Sequence, residues 1–444
     1  MLAAMKVSVS ALTFAAQGGQ LAAMHQFAIL ATLALGSTAF AAGEVQLPEN
    51  ARLAIVGDSI TEQKMYSKFM ETYLVACAGR QDIRVFQFGW SGETAGGFAA
   101  RLENDLSVFN PTTVTLCYGM NDGSYRPFDA SIGKRYGDAM SSIVTKLNTI
   151  GAKHVVVGSP GAVDTKFFTR PNFGNDNAAN VYNDSLAQLG GIGKKLATEN
   201  GKAFADVHQP MIDAMAKGKA TLGENYDVCG GDGVHPGANG QLVMAYAFLK
   251  GIGCDGKIAE ISVDMKGAST ASAGHKVLSS AAGKVELESA RYPFCFDGDT
   301  KSSGGTRSIT AFLPFNGELN RFTLRVSNLT GEKAKVAWGA ETKEFTREQL
   351  TAGVNLAAEF PATPFDAPFK AYMSAVGKKQ GYETGMIKDF ITKFRNYEAE
   401  AKEAPDFGAA LEAVKKHLGK RQAQLETESR KALVPVKHTI TITQ

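Results

Sequence analysis

The chain has 444 residues, 44% of them hydrophobic and 20% charged, so it can hold two globular domains and lacks the polarity of a disordered protein. The formal net charge of +3 argues against a dedicated nucleic-acid binder. No apolar stretch after residue 41 is long enough to span a bilayer, so an integral membrane segment is not expected there.

Residues 1–41 have the pattern of an export signal. They contain one charged side chain, Lys6, and an apolar run over residues 27–35 leads to the small-residue motif Ala-Phe-Ala at residues 39–41. This arrangement is typical of a secretory signal peptide, and Met24 is an alternative start within it. The sequence therefore predicts a secreted or periplasmic protein whose fold begins after this segment.

Predicted strands and helices alternate from residue 47 to residue 254. Short apolar runs indicate strands at residues 52–56, 83–88, 113–118, 154–158 and 203–207. Helical patterns occupy residues 61–78, 136–150, 180–200 and 239–249. Continuously apolar strands separated by helices predict a parallel sheet covered on both faces, with ligands bound beyond the carboxyl ends of the strands.

The pattern changes after residue 255 to a β-rich and then a helical extension. Residues 321–326 alternate like a strand, with residues 335–338 as a candidate hairpin partner, and residues 437–442 predict a final strand. Residues 364–433 have a helical pattern rich in charged residues, with a break at Pro405. Their apolar stripe consists of Leu411, Val414, Leu418 and Leu425. We expect three parts: residues 1–41, 47–255 and 256–444.

The five cysteines leave two interpretations open. Export makes disulfides possible, and Cys229 and Cys254 are the best-placed pair because they flank the segment around His235. All five thiols also fit the behaviour of small buried hydrophobic side chains. The sequence therefore does not decide between a Cys229–Cys254 bridge and free thiols, since connectivity cannot be deduced from sequence.

Four short blocks carry side chains suited to acyl-transfer chemistry. They are Gly57-Asp58-Ser59, Gly92, Gly119-Met120-Asn121-Asp122 and Asp232-Gly233-Val234-His235. The first three blocks follow predicted strands one, two and three. Because the carboxyl ends of parallel strands meet at one edge of a sheet, we expect these blocks to form a single site.

Ser59 and His235 are the candidate nucleophile and base. Ser59 lies at a predicted strand-to-helix turn, where negative charge is favoured, although a lone serine there is more typical of a helix N-cap. Asp232, three residues before His235, can fix the imidazole tautomer that leaves the other nitrogen free for the serine proton. Taken alone, this pair also fits a capping aspartate beside a packed histidine.

An oxyanion requires donors aimed at the developing charge. The candidates are the N–H groups of Ser59 and Gly92 and the side-chain amide of Asn121. Gly92 also fits an ordinary loop glycine and Asn121 an Asx-turn, so the interpretation depends on all four blocks together. Trp90 and Asp122 are weaker candidates for substrate contact, and core packing explains Trp90 equally well.

The order and residue types of the four blocks resemble the SGNH (GDSL-type) hydrolase family over residues 50–253. The resemblance implies a three-layer α/β/α sandwich with a parallel sheet of flavodoxin-like type. It also implies roles for five residues: Ser59 as nucleophile, His235 as base, Asp232 as the group orienting it, and Gly92 and Asn121 in the oxyanion hole. Glu93 departs from the Asp that many relatives carry, at a position outside the chemistry. The extension looks like the C-terminal appendage of some exported bacterial members.

The resulting hypothesis is an exported serine esterase that works through an acyl-enzyme and removes short acyl groups, acetyl above all, from a carbohydrate or glycan. A lipase or lysophospholipase is an alternative substrate class. An inactive scaffold with a glycan-binding module in residues 256–444 is the alternative from another class, and the helical region could also be a lid or an oligomer contact. No cofactor or metal is expected, because the histidines are scattered without ligand spacing.

Overall fold

A parallel five-stranded sheet forms the first half of the computed structural model, which describes residues 47–169, 177–281 and 283–444. Its strands are β1 (Arg52–Gly57), β2 (Arg84–Gly89), β3 (Thr113–Cys117), β4 (His154–Gly158) and β5 (Ala203–Ala205). Their order is β2-β1-β3-β4-β5, and every neighbouring pair is parallel. This is the flavodoxin-like order, which places a switch point between β1 and β3. The predicted signal peptide lies outside the described residues.

Helices connect these strands. They are α1 (Ser59–Glu62), α2 (Tyr66–Thr72) with a π-helical turn (Tyr73–Cys77), α3 (Ala95–Leu106), α4 (Ala130–Thr149), α5 (Ala178–Glu199), α6 (His208–Leu222) and α7 (Ala238–Gly251). The side chains of Asp58, Thr94 and Asp129 accept backbone N–H bonds at the first turns of α1, α3 and α4. The helix predicted over residues 61–78 is divided, because Lys64 takes a left-handed φ of 58° after α1.

Both faces of the parallel sheet are buried. Leu53 and Ile55 of β1 point into one hydrophobic core, while Ala54 and Val56 point into a second core on the opposite face. This alternation follows from the two-residue period of a strand. The three-layer α/β/α architecture expected from the apolar strands is confirmed.

The extension begins with a β-sandwich. Its strands are β6 (Lys257–Asp264), β7 (Thr270–Ala271), β8 (His275–Ala281), β9 (Lys284–Ser289), β10 (Arg321–Ser327), β11 (Lys333–Trp338), β12 (Glu341–Thr346), β13 (Val354–Asn355) and β14 (Val436–Thr443). One sheet has the order β13-β10-β6-β7 and the other β12-β11-β14-β9-β8. Phe322 stacks on Trp338 at 5.3 Å between ring centroids, so the two sheets pack face to face.

The hairpin expected between residues 321–326 and 335–338 is wrong. Strand β10 pairs with β6 and β13, whereas β11 pairs with β12 and β14 in the other sheet. The hairpin partner of β11 is β12, across the two-residue turn Gly339-Ala340, and Gly339 has a φ of 64°. Phe322 and Trp338 meet across the sandwich rather than along one sheet. The predicted final strand is confirmed as β14.

The helices of the extension are α8 (Phe315–Leu319), α9 (Arg347–Ala352), α10 (Leu356–Glu359), α11 (Asp366–Gly385), α12 (Thr392–Phe394), α13 (Glu398–Glu403) and α14 (Pro405–Arg430). A π-helical turn (Met386–Ile391) follows α11, and 3₁₀ turns occupy Ser308–Ala311 and Arg395–Tyr397. The predicted break at Pro405 coincides with the start of α14. Within the described ranges, no helix has both the length and the apolarity needed to cross a membrane.

Helix α14 buries its apolar stripe only in part, with Leu418 packed against the core. Its buried side chains are Gln422, Glu426 and Ser429, while Val414 of the stripe is exposed. Glu426 accepts from Arg84 Nε at 3.2 Å, and Gln422 donates to Glu383 Oε1 at 2.7 Å. Polar contacts with β2 and α11 therefore act together with limited apolar packing to orient this helix.

Helix α11 covers the edge of the parallel sheet. Strand β2 is an edge strand, and its Gln87 N–H donates to Glu383 Oε2 at 3.0 Å, while Lys379 Nζ donates to the Val85 carbonyl. Side chains of α11 thus occupy backbone groups that an exposed edge would offer to another strand. The extension is in this way part of the parallel sheet's own structure.

Of the two interpretations left open for the cysteines, the bridge between Cys229 and Cys254 is not formed, and all five cysteines are free. Cys229 precedes α7 and Cys254 follows it. A helix of this length spans about 20 Å, whereas a disulfide requires Cα atoms within about 7 Å. Asn239 in the first turn of α7 donates to the Asp227 carbonyl, so the segment around Cys229 lies at the start of the helix, while Cys254 lies beyond its end.

Candidate active site

Ser59 lies at the carboxyl end of β1, as the first residue of α1. The N-cap is Asp58, whose Oδ1 accepts the Ile60 N–H at 3.0 Å. The alternative in which Ser59 acts as the cap is therefore wrong, and its hydroxyl is free to face the loop around His235. Burial raises the pKa of Asp58 to about 7, against the opposing effect of the Ile60 hydrogen bond.

The second component is a tight loop between α6 and α7. Asp232 Oδ1 accepts the backbone N–H groups of Val234 and His235, both at 2.9 Å. Gly233, with a φ of 76°, lies against the backbone of Phe168, where a Cβ atom would approach the Phe168 nitrogen to 2.3 Å. Only glycine satisfies both the left-handed backbone and this close approach. The loop thereby holds Asp232 and His235 in a fixed relation.

A continuous hydrogen-bonded relay joins the three residues. Asp232 Oδ2 lies 2.6 Å from His235 Nδ1, and His235 Nε2 lies 2.8 Å from Ser59 Oγ. An ionised carboxylate only accepts, so Nδ1 carries a hydrogen and Nε2 presents its lone pair to the serine hydroxyl. Partial burial acts to raise the pKa of Asp232, but the bonds from His235 and Val234 outweigh it and lower that pKa. The carboxylate is thus kept ionised.

Two backbone N–H groups at this edge of the sheet are available as hydrogen-bond donors. Within the described part of the chain, neither the Ser59 N–H nor the Gly92 N–H donates a hydrogen bond to the backbone. Gly92 follows β2, has a φ of 72°, and leaves open space where a side chain would stand. A glycine here opens the backbone to an approaching molecule.

Asn121 follows β3 and turns toward the same edge. Its Nδ2 donates to the Glu93 carbonyl at 3.0 Å and lies 3.5 Å from Asp58 Oδ2. Tyr125 donates to Asn121 Oδ1 at 3.2 Å, which fixes the orientation of the amide. The structure therefore brings Asn121 beside the residue that follows Gly92.

Trp90 and Asp122 differ in their surroundings. Trp90 is partly exposed beside the Gly92 loop, and the Arg101 guanidinium lies 4.8 Å from the centre of its ring. Asp122 is only 3% exposed and accepts the N–H groups of Ala95 and Gly119 at 3.0 and 3.1 Å. Burial raises the pKa of Asp122 to about 6. Asp122 therefore ties the loops together from beneath and has no open face for substrate.

Glu93 shows why the longer acid fits this position. Arg101 donates to both Glu93 oxygens, at 2.6 and 2.7 Å, and Tyr118 donates to Glu93 at 2.7 Å. The same guanidinium reaches Asp105 at 2.6 Å. The Arg101–Asp105 pair is an i,i+4 contact on α3, but no such spacing indicates the contacts that Glu93 makes with Arg101 and Tyr118. These contacts support the loop that bears Gly92.

Two more residues near the site were not identified from sequence. Glu62 of α1 accepts the Ser91 N–H at 2.5 Å, and Lys388 from the extension donates to both Glu62 oxygens. Because Lys388 is more than 320 residues away in the chain, no local pattern could have revealed the pairing. No group of three potential metal ligands occurs among the described residues.

Comparison with known proteins identifies a family model and several similar proteins. Residues 55–243 match the model of the GDSL-like lipase/acylhydrolase family. The acetylxylan esterase of Geobacillus stearothermophilus is 24% identical over 225 residues, which cover 47% of this chain and 97% of that protein. A crystal structure of an acetylxylan esterase from that organism covers 47% of this chain and 96% of its own, at 23% identity and a TM-score of 0.38.

The likeness to a second solved structure extends through the extension. A gut microbial diltiazem-metabolizing enzyme is 21% identical, with 90% of this chain and 100% of that chain covered and a TM-score of 0.68. This similarity indicates a shared fold for the parallel sheet together with the added sandwich and helices. With this sequence match and its α/β/α fold, residues 55–243 form a GDSL-like lipase/acylhydrolase domain, and the protein is an ester-hydrolysing enzyme.

Proposed function

We propose that the protein is an exported serine esterase that removes short acyl groups, acetyl above all, from a carbohydrate or glycan. The observation that carries the proposal is the relay from Asp232 through His235 to Ser59, with separations of 2.6 and 2.8 Å. This is the arrangement that activates a serine hydroxyl for acyl transfer. A complete relay does not favour the alternative of an inactive scaffold.

Acylation begins when Ser59 Oγ attacks the ester carbonyl and gives its proton to His235 Nε2. The resulting oxyanion accepts hydrogen bonds from the Ser59 and Gly92 N–H groups and from Asn121 Nδ2, whose 3.5 Å contact with Asp58 gives way to it. His235 then passes the proton to the alcohol oxygen as the carbon–oxygen bond of the ester breaks. The alcohol leaves, and the acyl group remains on Ser59.

Deacylation repeats these steps with water. His235 accepts a proton from the water molecule as its oxygen attacks the acyl-enzyme, and the same donors hold the second oxyanion. The proton returns to Ser59 Oγ as the acid departs. Throughout, Asp232 stabilises the transient imidazolium and keeps its ring in place.

The solvent exposure of His235 and Asp232 supports a bulky polar alcohol as the leaving group. The side chains of His235 and Asp232 are 37% and 53% exposed, so a polymeric sugar can approach them. Among the described residues, the large exposed apolar side chains all belong to the extension and none to the parallel-sheet domain that carries Ser59: Leu278, Phe390, Tyr397, Val414 and Val434. A lipid substrate would call for an apolar surface around the serine. The similarity to an acetylxylan esterase supports the same substrate class.

Export rests on the N-terminal sequence. The apolar run and small-residue motif of residues 1–41 support cleavage and release into the periplasm or the medium. The mature N-terminus, measured by mass spectrometry of protein recovered separately from the medium, the periplasm and the cytoplasm, tests this part. A mature chain that begins near residue 42 supports export, and a full-length intracellular chain contradicts it.

The proposed substrate class is tested with a panel of esters. Wild type and Ser59→Ala are compared on p-nitrophenyl acetate, on p-nitrophenyl octanoate and on acetylated xylo-oligosaccharides, with released acid quantified. We expect the acetyl esters to be hydrolysed fastest and Ser59→Ala to be inactive. A preference for octanoate would support the lipase alternative, and equal rates for wild type and Ser59→Ala would refute the serine mechanism.

A further inference from the structure

A lysine of the extension reaches the Gly92 side of the active site. Lys388 lies in the π-helical turn Met386–Ile391, and its Nζ is 2.8 and 2.9 Å from the two carboxylate oxygens of Glu62. Both side chains are partly buried, with 25% of the Lys388 and 21% of the Glu62 side-chain surface exposed. This ion pair joins the extension to α1, the helix that begins with Ser59.

Glu62 connects the two parts of the candidate oxyanion hole. It is the last residue of α1, three positions after Ser59, and its Oε2 accepts the Ser91 N–H at 2.5 Å. Ser91 immediately precedes Gly92. One carboxylate therefore fixes the loop that carries the Gly92 donor against the helix that carries the Ser59 donor.

Lys388 also contacts Trp90, the residue that precedes Ser91 in this loop. Its Nζ lies 5.0 Å from the ring centre of Trp90, and the Arg101 guanidinium is 4.8 Å from the same ring. Cations at such distances are attracted to the negative face of an indole. The residues Trp90 and Ser91 are thus both held, directly or through Glu62, by one ammonium group.

The charge of Lys388 has a second effect. Glu62 would otherwise place an uncompensated carboxylate next to the region where an oxyanion develops, and like charges repel strongly in a partly desolvated site. The other nearby lysine, Lys64, donates to the Glu62 backbone carbonyl at 2.7 Å rather than to its carboxylate. Lys388 is the cation that neutralises this group directly.

The position of Lys388 is built into the fold. The preceding helix α11 is tied to β2 through the bond from Gln87 N–H to Glu383 at 3.0 Å. The segment that follows is tied to α3, where Asn104 donates to the Ile391 carbonyl at 2.7 Å and Thr392 donates to Asp105 at 2.7 Å. Contacts on both sides therefore hold the π-helical turn against the site.

We infer that Lys388 is a positioning residue of the esterase: it holds Glu62, and through it the Ser91–Gly92 loop, in the geometry that accepts the oxyanion. The inference rests on the proposed function, in which Ser59 is the nucleophile. It gives the extension a role in the chemistry that is separate from substrate binding.

The test compares Lys388→Met, Lys388→Arg and a matched control, Lys393→Met, in the full chain. Lys393 lies on the next turn with its side chain 61% exposed, and its one ion pair among the described residues is with Asp389 at 3.9 Å. With p-nitrophenyl acetate, we expect Lys388→Met to lower kcat about tenfold and leave KM nearly unchanged, because loop placement affects the transition state more than binding. Lys388→Arg restores most of kcat, and Lys393→Met matches wild type.

A second readout follows the loop itself. The chain has two tryptophans, and Trp338 is fully buried, so collisional quenching by acrylamide reports on Trp90. We expect stronger quenching in Lys388→Met than in wild type, with an unchanged thermal unfolding midpoint. A general loss of stability would instead lower the midpoint without a specific change at Trp90.

The outcomes separate this inference from the proposed function. Wild-type kcat in Lys388→Met, while Ser59→Ala is inactive, overturns the inference and leaves the function standing. A rise in KM alone, or an equal loss of kcat in Lys393→Met, also overturns it. Full activity of Ser59→Ala refutes the proposed function and the inference together.

Discussion

Asp232 divides its two oxygens between backbone and side chain. Oδ1 accepts two loop N–H groups at 2.9 Å, and Oδ2 accepts from His235 Nδ1 at 2.6 Å. The carboxylate therefore shapes the turn and selects the tautomer at once. An amide in its place keeps the shape but offers an NH₂ group or a weaker acceptor to the ring.

Asp232→Asn is expected to lower kcat on p-nitrophenyl acetate by about a thousandfold or more, because the ring loses its orienting charge and its preferred tautomer. Folding changes little, since the side chain is more than half exposed. The matched control is Asp213→Asn on the exposed face of α6. Steady-state kinetics on the three proteins check this, and an Asp232→Asn variant within tenfold of wild type would contradict the assigned role.

At the scale of elements, the contact between α11 and β2 is the one that completes the sheet. Lys379 is buried, bridges Glu71 at 2.8 Å and Glu383 at 3.2 Å, and donates to the backbone of the edge strand. Burial opposes its charge, but the two carboxylates outweigh this and raise the pKa of Lys379. The lysine is therefore protonated and serves three acceptors.

Lys379→Met is expected to lower the free energy of unfolding by about 3–5 kcal/mol, because two buried carboxylates lose their cation and a strand carbonyl loses its donor. Lys378→Met, at the adjacent exposed position, is the control and is expected to match wild type. Denaturant unfolding measures both. Equal stability of the two variants would show that α11 does not secure the edge of β2.

A second element-scale feature is a hydrogen-bonded chain across the sandwich. Trp338 Nε1 donates to His438 Nδ1 at 3.2 Å, and Ser289 Oγ lies 2.8 Å from both His438 Nε2 and His275 Nδ1. His275 Nε2 ends the chain on the Ile258 carbonyl at 2.9 Å. Because indole only donates and a carbonyl only accepts, every proton in the chain is assigned and both imidazoles are neutral.

This chain predicts acid sensitivity. Burial lowers the pKa of His438 from 6.5 to about 3 and also lowers the pKa of His275. The stabilisation that neutral His438 contributes is therefore fully present above pH 6.5 and is lost as the pH falls from 6.5 toward 3. For His438 alone, linkage gives a loss of about 2 kcal/mol by about pH 5.

Unfolding free energies measured from about pH 7.5 to about pH 5 check the prediction. His438→Gln is expected to be less stable at neutral pH and to show a shallower decline in acid than wild type. His417→Gln, at an exposed position on α14, keeps the wild-type slope. Identical slopes in all three proteins would mean that the buried histidines titrate freely.

For the whole molecule, the extension is a structural partner of the hydrolase sheet. A chain that ends at residue 255 leaves the edge of β2 open and Glu71 without its cation. We expect such a chain to aggregate and to lack a cooperative unfolding transition. Size-exclusion chromatography and thermal unfolding, beside the full chain, measure this. A monomeric truncated protein with wild-type activity would show that the extension is dispensable.

Sequence reasoning succeeded where the determinants are local. The parallel sheet could be predicted because each strand is a continuous apolar run, and the Ser59, Gly92 and Asn121 blocks could be placed because each follows such a run. The partners of Glu62 and Val85 could not, since Lys388 and Lys379 approach from almost 300 residues away or more. The pairing of β10 was also missed, because its partners β6 and β13 are not its neighbours in the sequence and no local pattern indicates them.

The central claim is that Ser59 carries the acyl group, and a covalent label tests it most directly. Wild type and Ser59→Ala are treated with a fluorophosphonate, which reacts with activated serines, and the modified peptide is mapped by mass spectrometry. The account predicts stoichiometric modification of Ser59 in wild type and none in Ser59→Ala. Labelling at another serine, or an unlabelled wild type that still hydrolyses p-nitrophenyl acetate, would contradict it.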